Sequence, residues 1–281
     1  MTVILDGKKL SAKIIEDLTE KVAQLEKKPH LAVLLIGNDP ASELYVSLKQ
    51  KATEKIGMSS SIITYPASVL EEDVLQKISE LNSDAEVDAI LVQFPLPSHI
   101  DEKKVIQAIA PQKDADGIAP ENVGKIAIGL KPYAYPCTPK GIMALIDEYE
   151  LDLEGKHAVV VGRSNIVGKP LAQLLLNRNA TVTVCHSKTQ NLSEITKTAD
   201  ILVSAVGKYG LIKSDMIKQN AVVIDVGTTR IDGKPKGDVD FDGIIDKASF
   251  VAPVPGGVGP MTIAMLMDNT FNLARLSHLK I

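Results

Sequence analysis

Short apolar runs alternate with segments of helical period along nearly the whole chain, and no other feature restricts the fold so strongly. Residues 31–36, 89–92 and 158–161 are continuous apolar runs, the signature of strands covered on both faces. Leu10, Ile14, Leu18, Val22 and Leu25 recur every three or four residues and predict an amphipathic helix. The same reading predicts helices over 42–56, 72–81 and 102–109, with strands over 60–65 and 88–94. Strands separated by helices imply βαβ crossovers, hence an α/β chain built on parallel sheets.

Residues 110–136 break this rhythm with Pro111, Pro120, Pro132 and Pro136 and with Gly117, Gly124 and Gly129. Thr138 as N-cap, with Pro139 at the first helical position, predicts a helix towards Tyr149 and a domain boundary beside it. A second alternating series follows, with strands expected at 157–161, 181–185, 201–205, 222–226 and 250–254. Helices are expected at 169–177, 192–198 and 214–219, and a last one from Met261 to about Leu276, returning to the first domain.

Composition removes several function classes. A chain of 281 residues suits one large domain or two ordinary ones. Lys plus Arg number 31 against 35 Asp plus Glu, a net charge of −4 that argues against nucleic acid as the main partner. Tryptophan is absent and aromatics reach only 4%, too few for base-stacking platforms. Cys137 and Cys185 cannot build a disulfide framework, and the five histidines show no paired metal-ligand spacing, so no metal is expected. Asp6, Lys8 and Lys9 interrupt what would be the apolar core of a signal peptide. Residues 248–267 carry no charge, yet their prolines and glycines read as a loop rather than a membrane span. A soluble cytoplasmic protein is expected.

Two places carry chemistry. In the second half, 157–162 runs from an apolar strand into Gly162-Arg-Ser-Asn-Ile-Val-Gly168 and then a helix. Unpaired amides and the positive dipole end of a helix favour a pyrophosphate there. Ser164 stands where the middle glycine of the usual fingerprint belongs, and an ordinary glycine turn would read the same way. The next strand ends Cys185-His-Ser187-Lys188-Thr, without the carboxylate that usually binds ribose hydroxyls, so a 2′-phosphate is preferred and NADP over NAD. Residues 204–207, 225–228 and the Pro/Gly loop 251–260 fall at further carboxyl ends of strands.

In the first half, Tyr45, Leu48, Lys49, Ala52 and Ile56 share one expected helix face, setting Lys49 among apolar neighbours. Desolvation lowers a lysine's pKa, which suits proton transfer near neutral pH; a lysine snorkelling into water has the same spacing. Gln93 ends an apolar strand and needs partners, a ligand or Lys49. Asp114 and Asp116 both lie in the Lys113–Gly117 loop, and composition alone does not choose between them.

Together these residues resemble the bifunctional methylenetetrahydrofolate dehydrogenase/methenyltetrahydrofolate cyclohydrolase family from end to end. The matching stretches are 37–58, 90–97 (ILVQFPLP), 113–117 (KDADG), 136–142 (PCTPKGI), 159–170, 183–189 and 253–262 (PVPGGVGPMT). The resemblance implies a folate-binding catalytic domain of residues 1–137 plus 262–281 and a Rossmann-type NADP-binding domain of 138–261, with a cleft between them. It implies Lys49 as principal catalytic residue, Tyr45 packed along the folate, Gln93 tuning the lysine, and Asp116 rather than Asp114 bonded to the pterin. Ser42 and Pro255 would line the folate pocket. Gly162, Arg163 and Ser164 would hold NADP, Ser187 its 2′-phosphate, and the main chain at Thr228 the nicotinamide half. Thr228-Thr229 replaces the family's usual Ile-Asn, which puts side-chain roles there in doubt. A homodimer is implied as well. A single-activity relative and an NADP-dependent dehydrogenase of shikimate type are the competing expectations.

Overall fold

The computed structural model describes residues 2–278. It divides into two compact units, Met1–Ala12 with Thr138–Thr262 and Lys13–Cys137 with Ile263–Ile281. The chain opens with β1 (Val3–Ile4) and α1 (Gly7–Ala23). Then come β2 (His30–Ile36), α2 (Pro40–Ile56), β3 (Ser59–Tyr65), α3 (Glu71–Ser83) and β4 (Ala89–Val92). Three helices follow: α4 (Glu102–Ala108), α5 (Pro120–Ala127) and α6 (Cys137–Glu148). The next series is β5 (His157–Val161), α7 (Gly168–Leu176), β6 (Thr181–Cys185), α8 (Leu192–Thr196), β7 (Ile201–Ser204) and β8 (Val222–Asp225). A hairpin of β9 (Thr229–Ile231) and β10 (Lys234–Lys236), then α9 (Phe241–Ile244), β11 (Phe250–Ala252) and α10 (Val258–His278), complete it.

In the first-half unit a parallel sheet runs β3-β2-β4. β2 is buried along its length after His30 because both faces are covered. Ala32, Leu34 and Ile36 pack with Ile90 and Val92 of β4, Val74 and Ile78 of α3 and Val105 of α4. α2 lies against β2 and β3. Among the described residues the edge strand β3 pairs with β2 alone, and its burial is accordingly patchy, with Ile62 exposed.

The second unit holds a six-stranded parallel sheet in the order β1-β11-β8-β7-β5-β6. Three of its strands repeat the plan of the other unit: β5 lies between β6 and β7 as β2 lies between β3 and β4. The repeat extends to the amino ends of the strands. The backbone N–H of His30 donates to Asp88 and that of His157 to Asp200, both at 2.9 Å. The Nε2 atoms lie 3.0 Å from the Ser61 hydroxyl and 2.9 Å from the Thr183 hydroxyl respectively.

Several boundaries differ from the sequence expectation. The N-terminal residues were expected with the first domain, but 1–12 join the second-half unit, because β1 pairs with the otherwise open edge of β11. Residues 110–136 contain α5, whose Pro120 sits in the first turn where no amide is missed. Thr138 lies inside α6 rather than capping it, with its hydroxyl 3.0 Å from that of Thr262. Residues 214–219 form only a 3₁₀ turn, Ser214–Met216. The last helix starts at Val258, before Met261, so the charge-free stretch divides into a strand, a turn and a helix start. Among the described residues no helix is long and apolar enough to cross a membrane.

Leu34 is fully buried at the centre of the first-half core. Leu34→Ala is expected to lower the unfolding free energy by about 3 kcal/mol. Urea denaturation checks this, and a loss below about 1 kcal/mol would show that the sheet is not packed on both sides.

Candidate functional site

In the first-half unit β2 leads into α2, β3 lies on one side of β2 and β4 on the other. That reversal of direction opens a crevice at the carboxyl ends of β2 and β4, where open α/β sheets bind ligands. Asp39 caps α2 by accepting from the Ser42 N–H at 2.8 Å, and this bond holds the Asp39 carboxyl below its usual range. Gly57 ends the helix in the left-handed conformation. With both ends fixed, the inward face is Ser42, Val46, Thr53 and Ile56, and Lys49 falls at the intervening position on the same face, half-buried.

This corrects the expected stripe. Tyr45 and Leu48 are 41% and 39% exposed and flank the inward face rather than form it. The helix turns small polar residues inward because they find partners: the Thr53 hydroxyl donates to the Gln50 carbonyl at 2.6 Å and lies 3.2 Å from the Ser60 hydroxyl. Lys49 remains inward, as expected, but among different neighbours.

Lys49 Nζ donates to Gln93 Oε1 at 2.8 Å. Gln93 is itself fixed: its backbone N–H donates to the Leu34 carbonyl at 2.9 Å and its Nε2 to the Phe94 carbonyl at 2.7 Å. The amide's nitrogen end is therefore engaged, and its oxygen is left for the lysine. An amide oxygen accepts from an ammonium or a neutral amine alike. The contact survives either protonation state.

Geometry also separates Asp114 from Asp116. Asp114 is 1% exposed, and its carboxylate accepts from the N–H groups of Gly117 (3.0 Å) and Ala119 (2.7 Å) and from Asn122 Nδ2 (2.9 Å). Burial pushes its pKa up to about 6. It ties the loop to the start of α5 and is buried out of a ligand's reach. Asp116 is half-buried, and its carboxylate has no hydrogen-bond partner among the described residues. The parallel bridge between Ile90 and Asp114 runs this segment along β4 towards its carboxyl end. Asn269, buried in α10, donates to the Ala115 carbonyl at 2.9 Å and the Tyr135 carbonyl at 2.8 Å, holding the loop from behind. Sequence reasoning missed Asn269; an amide within an otherwise apolar helical run was the available signal.

The second unit has the same kind of reversal between β5 and β7. Gly162 has φ +127°, and a Cβ there would stand 2.4 Å from the Ala205 carbonyl oxygen, so no side chain fits. Ser164 acts differently from a fingerprint glycine: its hydroxyl accepts from the N–H groups of Val167 (3.1 Å) and Gly168 (3.3 Å). The first amides of α7 are thus bonded to the loop, and the exposed groups are Arg163, Ser164, Asn165 and Ile166. β5 and β6 end level, Val161 opposite Cys185, so Arg163 and Ser187 leave adjacent strands at one height. His186 to Thr189 form a tight turn that exposes Ser187 and Lys188. Burial pushes the Cys185 thiol up, away from thiolate chemistry. Thr228 is exposed, and Thr229 donates its hydroxyl to the Gly207 carbonyl at 3.0 Å. Pro255 is exposed in the turn after β11. A concavity of about 330 Å³ lined by Tyr149, Lys156, Asp200 and Lys218 lies at the amino ends of this sheet, away from all these loops. Among the described residues no group of His, Cys, Asp and Glu is placed to hold a metal ion.

Of the expected site residues, the structure brings Lys49 and Gln93 into contact and groups Gly162, Arg163, Ser164 and Ser187 at the carboxyl ends of two adjacent strands. Ser42 and Tyr45 share the first turns of α2.

Comparison with known proteins gives a consistent answer. The model of the tetrahydrofolate dehydrogenase/cyclohydrolase catalytic domain matches residues 5–116, and that of the NAD(P)-binding domain of the same name matches residues 136–278. A bifunctional protein FolD from Campylobacter hominis is 53% identical over 99% of this chain and 99% of its own. The crystal structure of the bifunctional FolD methylenetetrahydrofolate dehydrogenase/cyclohydrolase of Campylobacter jejuni is similar with a TM-score of 0.97 and 48% identity, over 98% of this chain and 99% of that one. The FolD of Trypanosoma brucei, complexed with NADP cofactor and inhibitor, gives a TM-score of 0.95 and 39% identity over 99% of each chain.

The folded Asp114 carboxyl binds its proton more tightly than in the unfolded chain. The stability it contributes is therefore fully present below about pH 4 and is lost as the pH rises through about 6. Urea unfolding of the parent and of Asp114→Asn, each at about pH 4 and about pH 7, is expected to show the parent losing stability relative to the variant. A constant difference between the two would contradict this.

Proposed function

The chain belongs to the tetrahydrofolate dehydrogenase/cyclohydrolase family, and on that premise we propose that it oxidises 5,10-methylenetetrahydrofolate to the 5,10-methenyl form with NADP and hydrolyses that product to 10-formyltetrahydrofolate. Near full-length identity to bifunctional relatives favours this over a single-activity or shikimate-type enzyme. The observation that carries the catalytic part is the Lys49–Gln93 hydrogen bond at the carboxyl end of β4.

The residues present fit NADP. Gly162 leaves room for close approach, and Arg163, Ser187 and Lys188 are exposed beyond the carboxyl ends of adjacent strands with no carboxylate in the 186–189 turn to repel a 2′-phosphate. When bound, the cofactor supplies the hydride acceptor, so oxidation of the methylene carbon needs no protein nucleophile. In this reading Gly162 and Ser164 hold the pyrophosphate side, Arg163, Ser187 and Lys188 the 2′-phosphate, and the main chain at Thr228 the nicotinamide half.

Hydrolysis needs proton transfers. Water adds to the methenyl carbon and loses a proton to leave a hydroxyl adduct; the bond to N5 then breaks as N5 takes a proton and the hydroxyl gives up its own to become the formyl C=O, with one proton released overall. Lys49 is assigned the transfer at water and N5, and Gln93 holds the amine in place through both of its protonation states. Asp116, whose carboxylate has no hydrogen-bond partner among the described residues, is assigned the N–H groups of the pterin. The exposed ring of Tyr45, one turn before Lys49, is assigned to packing along the folate. Ser42, buried and tied to the Asp39 cap, shapes the pocket by fixing where α2 begins, and Pro255 is assigned to its lining. A homodimer working in the cytoplasm completes the reading on family resemblance alone.

Lys49→Met is expected to slow methenyltetrahydrofolate hydrolysis at least about a hundredfold. The decay of the methenyl absorbance, set against the uncatalysed rate, measures this; unchanged hydrolysis by a folded variant would remove Lys49 from the mechanism. Arg163→Ala is expected to raise the KM for NADP about tenfold while leaving that for NAD nearly unchanged. Equal rises for both cofactors would take the 2′-phosphate away from this arginine.

A further inference from the structure

The loops that follow β7 and β8 lie at carboxyl strand ends beside the β5–β7 reversal, yet no helix N-terminus steadies them. Two buried carboxylates do. Asp238, with no exposed surface, accepts from the Ser204 hydroxyl at 2.9 Å, the Val206 N–H at 2.7 Å and the Lys208 N–H at 2.7 Å. Asp225, 3% exposed at the end of β8, accepts from the N–H groups of Gly227 (3.1 Å), Asp238 (2.9 Å) and Val239 (2.9 Å). One carboxylate thus seats the backbone of residue 238, and that residue's side chain seats the loop 204–208. The fit admits no extra atom: a Cβ on Gly237 would stand 1.8 Å from an Asp225 oxygen, and one on Gly227 2.0 Å from an Asp238 oxygen.

Every donor in this network is neutral, and among the described residues no cation is paired with either aspartate. Burial pushes Asp225 up to about 6, and the neighbouring charge of Asp238 adds to the effect. Two adjacent buried anions without a counter-charge are an unfavourable route to stability, so the arrangement is explained by the geometry it imposes. What it imposes is a fixed main chain beneath Val206, Gly207 and Lys208, all exposed at the ligand end of the sheet. The Thr229 hydroxyl on the Gly207 carbonyl closes the same loop from the hairpin side.

We propose that Asp238, seated by Asp225, is a positioning residue for the dinucleotide: it holds the 205–208 main chain as a wall of the cofactor site. The proposal rests on the NADP reading above. It makes no contact with the reacting atoms and no contribution to hydrolysis, which consumes no cofactor.

The test uses the full chain with Asp238→Asn, whose amide oxygen replaces one carboxylate oxygen while its nitrogen faces an N–H donor. The dissociation constant for NADP by calorimetry and the KM for NADP are both expected to rise about tenfold or more. At saturating NADP the kcat of the dehydrogenase, and the rate of methenyl hydrolysis, are expected to stay within about threefold of the parent. Unchanged NADP affinity in a folded variant overturns the proposal, as does a parallel loss of affinity and hydrolysis. If Asp238→Asn does not fold, Ser204→Ala removes one neutral donor and is expected to raise the KM for NADP about threefold with hydrolysis intact; no change overturns the proposal. A parent enzyme that fails to bind NADP would instead defeat the functional reading itself, before any variant is compared.

Discussion

β2 and β5 are covered on both faces, so in either unit polar chemistry is confined to the ends of the strands. The two ends are used differently. At the amino ends, His30 with Asp88 and His157 with Asp200 satisfy backbone groups and fix where the central strands begin. At the carboxyl ends, neighbouring loops diverge, and there Lys49 meets Gln93 and Arg163 rises beside Ser187. The order of three strands, repeated in both units, decides where any ligand can lie.

Much of this was legible in the sequence because burial on both faces leaves an unmistakable apolar run, and because a charged or amide side chain at the end of such a run must answer to a partner. Lys49, Gln93 and the glycine turn at 162 were found in that way. The phase of α2 was not, since Ser42 and Thr53 count as polar in a periodicity yet turn inward, where the Thr53 hydroxyl finds an acceptor and the Ser42 N–H is held by the Asp39 cap. Nor was the placement of residues 1–12, because a two-residue strand carries no pattern of its own and is defined only by the sheet edge it joins.

The buried aspartates mark a further limit. Asp114, Asp225 and Asp238 lie in loops or at a strand end, each within three residues of a glycine, where sequence alone suggests turns or ligand contacts. In the fold each carboxylate is consumed by main-chain N–H groups, or by a hydroxyl or amide beside them. Their neighbours Asp116, Gly207 and Thr228 are left to face outward. An acidic residue near a site therefore had to be sorted by its partners before a role could be assigned, and partners belong to the tertiary structure.

The amide of Gln93 is held by the carbonyl of its own neighbour, Phe94, and offers its oxygen to Lys49 without regard to charge. In the proposed hydrolysis the surroundings thus need not reorient each time the amine takes up or gives back a proton. Solvent around a free amine would have to rearrange at every such exchange, whereas this dipole is already aimed, and the reorganisation that water would demand is avoided during turnover.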